Sequence, residues 1–381
     1  MNVPAERFDA LRAVCTQAVA SGVVPGAVVL AAVGGVVRFH EAFGARQHEP
    51  ASAPATRATV YDVASVTKAA ITSVLAMKAM ADGELALDEP VARVLPEFSG
   101  IGKESVTVRH LLCHASGLPA HRPFYERFVE GGGSHAGPRD VAAQRAAIVS
   151  AAAAEPLERP PGERAMYSDL GFILLGEILE RRGGARLDRL AERSIFAPLE
   201  LAATTFVTLD GQGGRSPDLD QVAAPTERCV RRGYLARGEV HDLNAFAMGG
   251  IAGHAGLFST AADLGHLAAA LVAAWHGDRG PSLVPTELIR EFWRPAGVVP
   301  GSTWRLGWDG PSERASQAGV RLSRQAVGHL GFTGCSLWID PALRLWIIVL
   351  TNRVHPTVRD DPRFRAFRPA VHDAAMAALD G

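Results

Sequence analysis

Residues 65–81 read SVTKAAITSVLAMKAMA, a long apolar run of helical character that opens on Ser65 and stops at Asp82–Gly83. A serine and a lysine three positions apart share one helical face, so the Lys68 amine is predicted to reach the Ser65 hydroxyl. At the first turn of a helix, a backbone amide and the helix dipole favour a developing oxyanion. A free lysine has a pKa of about 10.4, so Lys68 must be desolvated, or set beside other cations, to accept a proton at neutral pH. Ile71, Val74, Leu75 and Met77 behind it are expected to supply that desolvation. The other basic residues are nearly all arginine, and the only lysines are Lys68, Lys78 and Lys103. Arginine holds its proton too tightly to act as a base, which leaves three candidates for lysine chemistry.

Outward from this helix the pattern changes twice. Residues Arg7 to Ala20 read as an amphipathic helix, followed by two β-type runs, Gly26–Ala32 and Val36–Phe43, around a Gly34–Gly35 turn. Residues Pro50 to Thr59 read as a loop. Helical patterns dominate the middle: Val141–Ala154, Asp169–Arg182, Leu187–Phe196 and Ala261–His276, the last with a Thr260/Asp263 capping box. Glycine- and proline-rich connections at Gly131–Gly133, Pro160–Gly162 and Gly211–Gly214 separate them. After Trp304 strands return, at Thr333–Ile339 and Leu343–Thr351, before a closing helix, Phe364–Leu379. The expected fold is therefore α/β (α+β). An antiparallel sheet built from both chain ends is flanked by helices and interrupted by a mostly helical domain. The predicted division is residues 1–62 and 303–381 for the two parts of the α/β domain, with 63–302 carrying the nucleophile helix.

Composition narrows the chemistry. Hydrophobic residues make up 48% and charged residues 21%, ordinary for a globular chain, and the net charge of −1 favours neither nucleic acid nor an anionic membrane. Cys15, Cys113, Cys229 and Cys335 lie far apart, which argues against a zinc site or a dense disulfide framework. The longest apolar runs, such as Leu267–Trp275, fall well short of the roughly 20 residues that span a bilayer. Met1–Cys15 lacks a signal-peptide core, so the chain as given is expected in the cytoplasm, or in the periplasm or medium had a leader been removed.

Two further strings bear chemistry. Tyr167–Ser168–Asp169 sits between the Pro160–Gly162 loop and an apolar helix, and His329–Leu330–Gly331–Phe332 precedes a C-terminal strand. A cation at His329 on an edge strand could bind a substrate carboxylate, and Gly331 would let a substrate backbone approach closely. There is no G-x-S-x-G elbow, H-E-x-x-H or P-loop. His114, His121, His241 and His254 fall in loops without metal-ligand spacing, and His254 reads as a solvated or packing residue ahead of one lining the pocket.

Each string alone recurs by chance. Together and in this order they resemble the motifs of the serine β-lactamase and penicillin-binding-protein superfamily, most of all the class C β-lactamases and related esterases and D-alanyl-D-alanine carboxypeptidases. Gly83–Pro96 (GELALDEPVARVLP), Leu111–Pro119 (LLCHASGLP), Met248–Thr260 (MGGIAGHAGLFST) and Gly328–Arg353 carry the likeness over most of the chain. The resemblance implies Ser65 as nucleophile, Lys68 as its base and Tyr167 as the group that shares proton transfer and protonates the leaving group. It places His329 where a lysine usually stands, with the Ser65 and Phe332 amides as oxyanion hole. It also implies a substrate-binding role for Asp169, Leu330, Gly331 and Phe332.

Three departures bear on substrate. No lysine follows Lys103, so His329 must serve; Leu330 replaces the usual threonine and its carboxylate-contacting hydroxyl; Asp169 replaces the usual asparagine. The expected activity is that of a serine hydrolase acting through an acyl-enzyme on small-molecule or peptide substrates: carboxyl esters, β-lactams or D-alanyl peptides. Esters rank first because they need no strong carboxylate recognition. No metal or organic cofactor is implied. The rival is a degenerate penicillin-binding-type binding or sensor protein, against which the intact Ser65/Lys68/Tyr167 set argues.

Overall fold

The computed structural model describes residues 4–49, 52–128, 140–209, 217–280 and 282–380. The Gly131–Gly133 and Gly211–Gly214 connections lie outside the described residues. Five strands, β1 (Gly26–Val33), β2 (Val36–Gly44), β3 (Val327–Leu330), β4 (Ser336–Asp340) and β5 (Leu345–Thr351), lie in the order β2-β1-β5-β4-β3. All neighbours are antiparallel, and the two chain ends meet where Val29 faces Val349. The expectation of one sheet drawn from both termini holds.

Period-two alternation gives this sheet two buried faces. Ala27, Val29 and Ala31 of β1, with Ile347 and Val349 of β5, pack on helices α1 (Asp9–Ala20) and α5 (Pro362–Leu379) through Leu11, Cys15, Phe364 and Val371. Val28, Leu30 and Ala32, with Trp346, Ile348 and Leu350, join the core that runs through α2 (Val74–Ala81), α3 (Asp169–Gly183) and α4 (Ala261–His276). The helix α4 packs directly on the sheet, so the central segment contributes one of its covering layers. All four cysteines are buried and unpaired. Among the described residues, no helix is long and apolar enough to cross a membrane.

Three local readings differ from expectation. The run from Ser65 is wound as a π-helix over Lys68–Ser73 before α2 begins; the Ser73 hydroxyl donates to the Lys68 carbonyl at 2.8 Å. Such bulges concentrate at functional sites. The Thr260/Asp263 box is half made: Thr260 Oγ1 accepts the Asp263 amide, but the Asp263 carboxylate accepts from Ala203 and Thr204 instead. Thr333 lies in the turn between β3 and β4 rather than in a strand, its hydroxyl drawn to the Asp62 carbonyl at 2.7 Å.

A short strand pair decides where the nucleophile sits. Tyr61 and Asp62 pair with Ser259 and Phe258, which sets the loop before residue 257 against the start of the Ser65 helix. That loop also presses on α3, and a Cβ on Gly253 would lie 2.2 Å from the Phe172 carbonyl oxygen and 2.9 Å from Gly176 Cα. Gly253→Ala must therefore push two backbones apart, an overpacking cost of about 1–3 kcal/mol. Urea denaturation should show a lowered midpoint for Gly253→Ala, and a wild-type midpoint would mean the loop is free to move.

Candidate active site

Ser65 stands at a strained turn. Ala64 has φ of +48°, a left-handed conformation that a residue with a side chain adopts at a cost. Three hydrogen bonds hold it: the Ala64 amide donates to Asp62 Oδ1 (2.8 Å), Thr67 Oγ1 donates to the Ala64 carbonyl (2.6 Å), and Asp62 Oδ2 accepts the His241 amide (2.6 Å). The Ser65 amide, like that of Phe332, has no acceptor among the described residues. Both residues line one cleft of about 710 Å³.

Ser65 Oγ receives two donors. The Tyr167 hydroxyl donates to it at 2.7 Å and Lys68 Nζ at 3.1 Å. Lys68 also donates to Asp169 Oδ1 at 2.8 Å and to the His254 carbonyl at 3.0 Å, which engages all its hydrogens. Its side chain is 0% exposed. Burial presses the Lys68 pKa down, as its apolar neighbours led one to expect. The Asp169 charge, with Tyr167 behind it, more than reverses that, so the pKa lies above the ordinary lysine value. Lys68 is therefore an ammonium in the resting site, and the expectation of a lysine neutralised by desolvation is corrected. Asp169, buried but beside Lys68 and hydrogen-bonded to His121, is held well below the usual carboxylate range.

Tyr167 is pushed up by burial, with the Lys68 charge opposing. Its ring is clamped by His114 at 4.8 Å and by Trp304 at 5.8 Å. His114 is buried and held neutral by desolvation and then by the Lys68 charge, and its Nδ1 accepts the Ser168 amide at 3.1 Å. Ser168 caps α3 by accepting from the Gly171 amide, and its hydroxyl donates to the Pro119 carbonyl. The Tyr167–Ser168–Asp169 string is thus a helix entry that sends residues 167 and 169 into the cleft and residue 168 into the core.

His329, on edge strand β3, lines the same cleft. Burial, followed by the Lys68 charge, lowers its pKa to about 3, so it is a neutral imidazole and the expected cation is absent at neutral pH. Its Nδ1 lies 2.8 Å from the Leu330 carbonyl, which places the ring hydrogen there. Gly331 lines the cleft as well, and the space a Cβ would fill holds the Val63 carbonyl oxygen at 2.4 Å, so its smallness also seats the strand against the nucleophile turn. Leu330 and Phe332 line the cleft, Phe332 half exposed.

Three participants were missed in the sequence. His254, read as a solvated or packing residue, is buried with Nε2 2.9 Å from Asp242 Oδ1, and its carbonyl holds Lys68. His121 lies with Nδ1 3.5 Å from Asp169 Oδ2. Trp304 walls the cleft. A backbone carbonyl leaves no residue-type signal, and only the glycine-rich spacing around His254 hinted at a tightly packed turn.

A serine following a strained turn, backed by a buried lysine and a tyrosine in a cleft between helices and an antiparallel sheet, defines a serine hydrolase-type fold. The chain belongs to the beta-lactamase family, whose pattern it matches over residues 11–370. A protein of Escherichia coli (strain K12) named putative D-alanyl-D-alanine carboxypeptidase is 32% identical over 326 residues, 80% of this chain and 72% of that one. The N-acetylmuramyl-L-alanine amidase of Bacillus subtilis (strain 168) is 33% identical over 362 residues, 88% of this chain and 79% of that one. Among solved structures, EstCE1, a hydrolase with promiscuous acyltransferase activity, shares the fold with a TM-score of 0.72 at 22% identity, covering 96% of this chain and 99% of that one.

With only Lys68, Lys78 and Lys103 in the chain, isotope-labelled lysine NMR can follow Lys68 directly. Its titration should lie above the ordinary lysine value. Asp169→Asn removes the charge that opposes desolvation and should bring it down by about 1–3 pH units. An unchanged titration would show that Asp169 does not set the protonation of Lys68.

Proposed function

We propose that this protein is a serine hydrolase that forms an acyl-enzyme on Ser65 and cleaves carboxyl esters, β-lactams or D-alanyl peptides. The observation that carries the reading is the double approach to Ser65 Oγ, by Tyr167 at 2.7 Å and Lys68 at 3.1 Å, inside a cleft large enough for a small substrate. The relatives named D-alanyl-D-alanine carboxypeptidase and N-acetylmuramyl-L-alanine amidase support an amide substrate with an alanine at the scissile bond.

With Lys68 fully engaged as an ammonium and Tyr167 raised by burial, the reactive form is the one that has lost a proton from the Tyr167–Lys68 pair. In that form the Ser65 proton passes to the pair as Oγ attacks the substrate carbonyl carbon. The Ser65 and Phe332 amides face the oxyanion. Tyr167 returns the proton to the leaving group, the ester or amide bond breaks, and water releases the acyl group along the reverse route. Because both pKa values are raised, the specificity constant for a neutral ester should climb as pH rises above neutrality. A flat profile from pH 6 to 10 would remove this pair from the rate-determining chemistry.

A fluorophosphonate adduct should map by mass spectrometry to Ser65 and vanish in Ser65→Ala. Lys68→Arg should lose nearly as much activity as Lys68→Ala, since arginine keeps the charge but yields no proton. An adduct on another serine would refute the nucleophile, and near-full activity of the arginine variant would make Lys68 an electrostatic fixture.

A further inference from the structure

Two neighbouring residues reach both members of the Ser65–Lys68 pair. The His241 amide donates to Asp62 Oδ2, and Asp62 Oδ1 accepts the Ala64 amide just before the nucleophile. Asp242, the next residue, lines the cleft and caps the short helix Leu243–Ala247, its Oδ1 accepting the Ala245 amide at 2.7 Å. The same oxygen accepts from His254 Nε2 at 2.9 Å, and the His254 carbonyl accepts from Lys68 Nζ at 3.0 Å. Two contacts through one residue thus join a carboxylate on the cleft wall to the buried ammonium.

His254 sits in a tight turn closed by the Ala252–Ala255 bridge. Two successive carbonyls of this turn face the nucleophile helix: Thr72 Oγ1 donates to that of Gly253 at 2.6 Å, and Lys68 to that of His254. The His254 ring is buried, and its Nδ1 has no hydrogen-bond partner among the described residues. Asp242 is therefore the ring's one hydrogen-bond anchor among those residues. Burial presses the Asp242 carboxyl up, but His254 beside it more than offsets that, and it stays a carboxylate. A buried imidazole with one ring nitrogen unsatisfied is costly, and packing alone could be served by an apolar ring.

We infer that Asp242 and His254 are positioning residues for Lys68: their hydrogen bond orients the turn so that its carbonyl takes the third ammonium hydrogen. The inference rests on the acyl-enzyme reading of Ser65 for turnover, but not for the state of Lys68. A carbonyl that accepts from an ammonium favours its charged form. Releasing that carbonyl should lower the Lys68 titration by about one pH unit, the order expected for a hydrogen bond to a charged group. Asp169 and Tyr167 also act on Lys68, whose charge is felt by His114 and His329. Asp242 is acted on by His254 and Asp169, and itself acts on Asp62 and His121. Changes confined to 242 and 254 leave all the other groups in place.

The test follows Lys68 by lysine-labelled NMR in wild type, His254→Ala, His254→Gln and Asp242→Ser. Serine keeps the helix cap but is too short to reach His254, whereas glutamine at 254 can still donate to Asp242. Lys68 should titrate about one unit lower in His254→Ala and Asp242→Ser, and His254→Gln should recover most of that shift. With p-nitrophenyl butyrate, His254→Ala should lower the plateau kcat about tenfold, leave KM within about twofold and move the rising limb to lower pH. A Lys68 titration raised in both His254 variants would mean that the imidazole acts through its charge, which overturns positioning. An unmoved titration beside a lowered melting temperature would make the pair purely structural and overturns it as well. Should His254→Ala not fold, Asp242→Ser and His254→Gln decide on the same terms. No turnover of the ester would sink the acyl-enzyme proposal, while the titrations still read the pair.

Discussion

A single buried ammonium organises this structure. Lys68 is removed from water entirely, and a lone charge so placed would cost several kcal/mol. Its three acceptors come from the nucleophile, from Asp169 and from the His254 carbonyl, partners 3, 101 and 186 positions away in the chain. The helix start, the entry to α3 and the glycine-rich loop must therefore meet at one point. Their packing is tight because the alternative is an unsatisfied charge.

Much of the surrounding detail follows from that demand. The close seat of Gly253 on α3 lets the next carbonyl reach Lys68, and the Ala64 turn aims Ser65 at the same nitrogen. The Lys68 charge also spreads outward as an electrostatic influence. It helps keep His114 and His329 neutral, so the aromatic and imidazole wall around Tyr167 carries no competing cation. Arg353 and Arg368 line the sheet side of the same cleft, with no carboxylate within ion-pair distance among the described residues.

The longer helices, the four sheet strands nearest the chain ends, the two-ended sheet and the Ser65/Lys68/Tyr167 set were legible in the sequence, whereas the edge strand Val327–Leu330 that carries His329 was not. Hydrophobic period, glycine breaks and motif spacing are properties of short stretches, and short stretches are what a chain displays directly. The alternation of Val28/Leu30 against Val29/Ala31 alone separates the two faces of the sheet. The π-winding over Lys68–Ser73 was not legible, because the residue types and spacing of that run fit an ordinary α-helix equally well.

The charge states of the site belonged to the tertiary structure. Apolar neighbours of Lys68 pointed to a neutral amine, and only the arrival of Asp169 from a distant helix reverses the sign. The same holds for His329, whose position suggested a cation until burial and the Lys68 field made it neutral. The residue types and their order are written in the chain and determined the family and the candidate nucleophile. Protonation is a property of distance and desolvation, and these exist only once segments far apart in sequence have packed together.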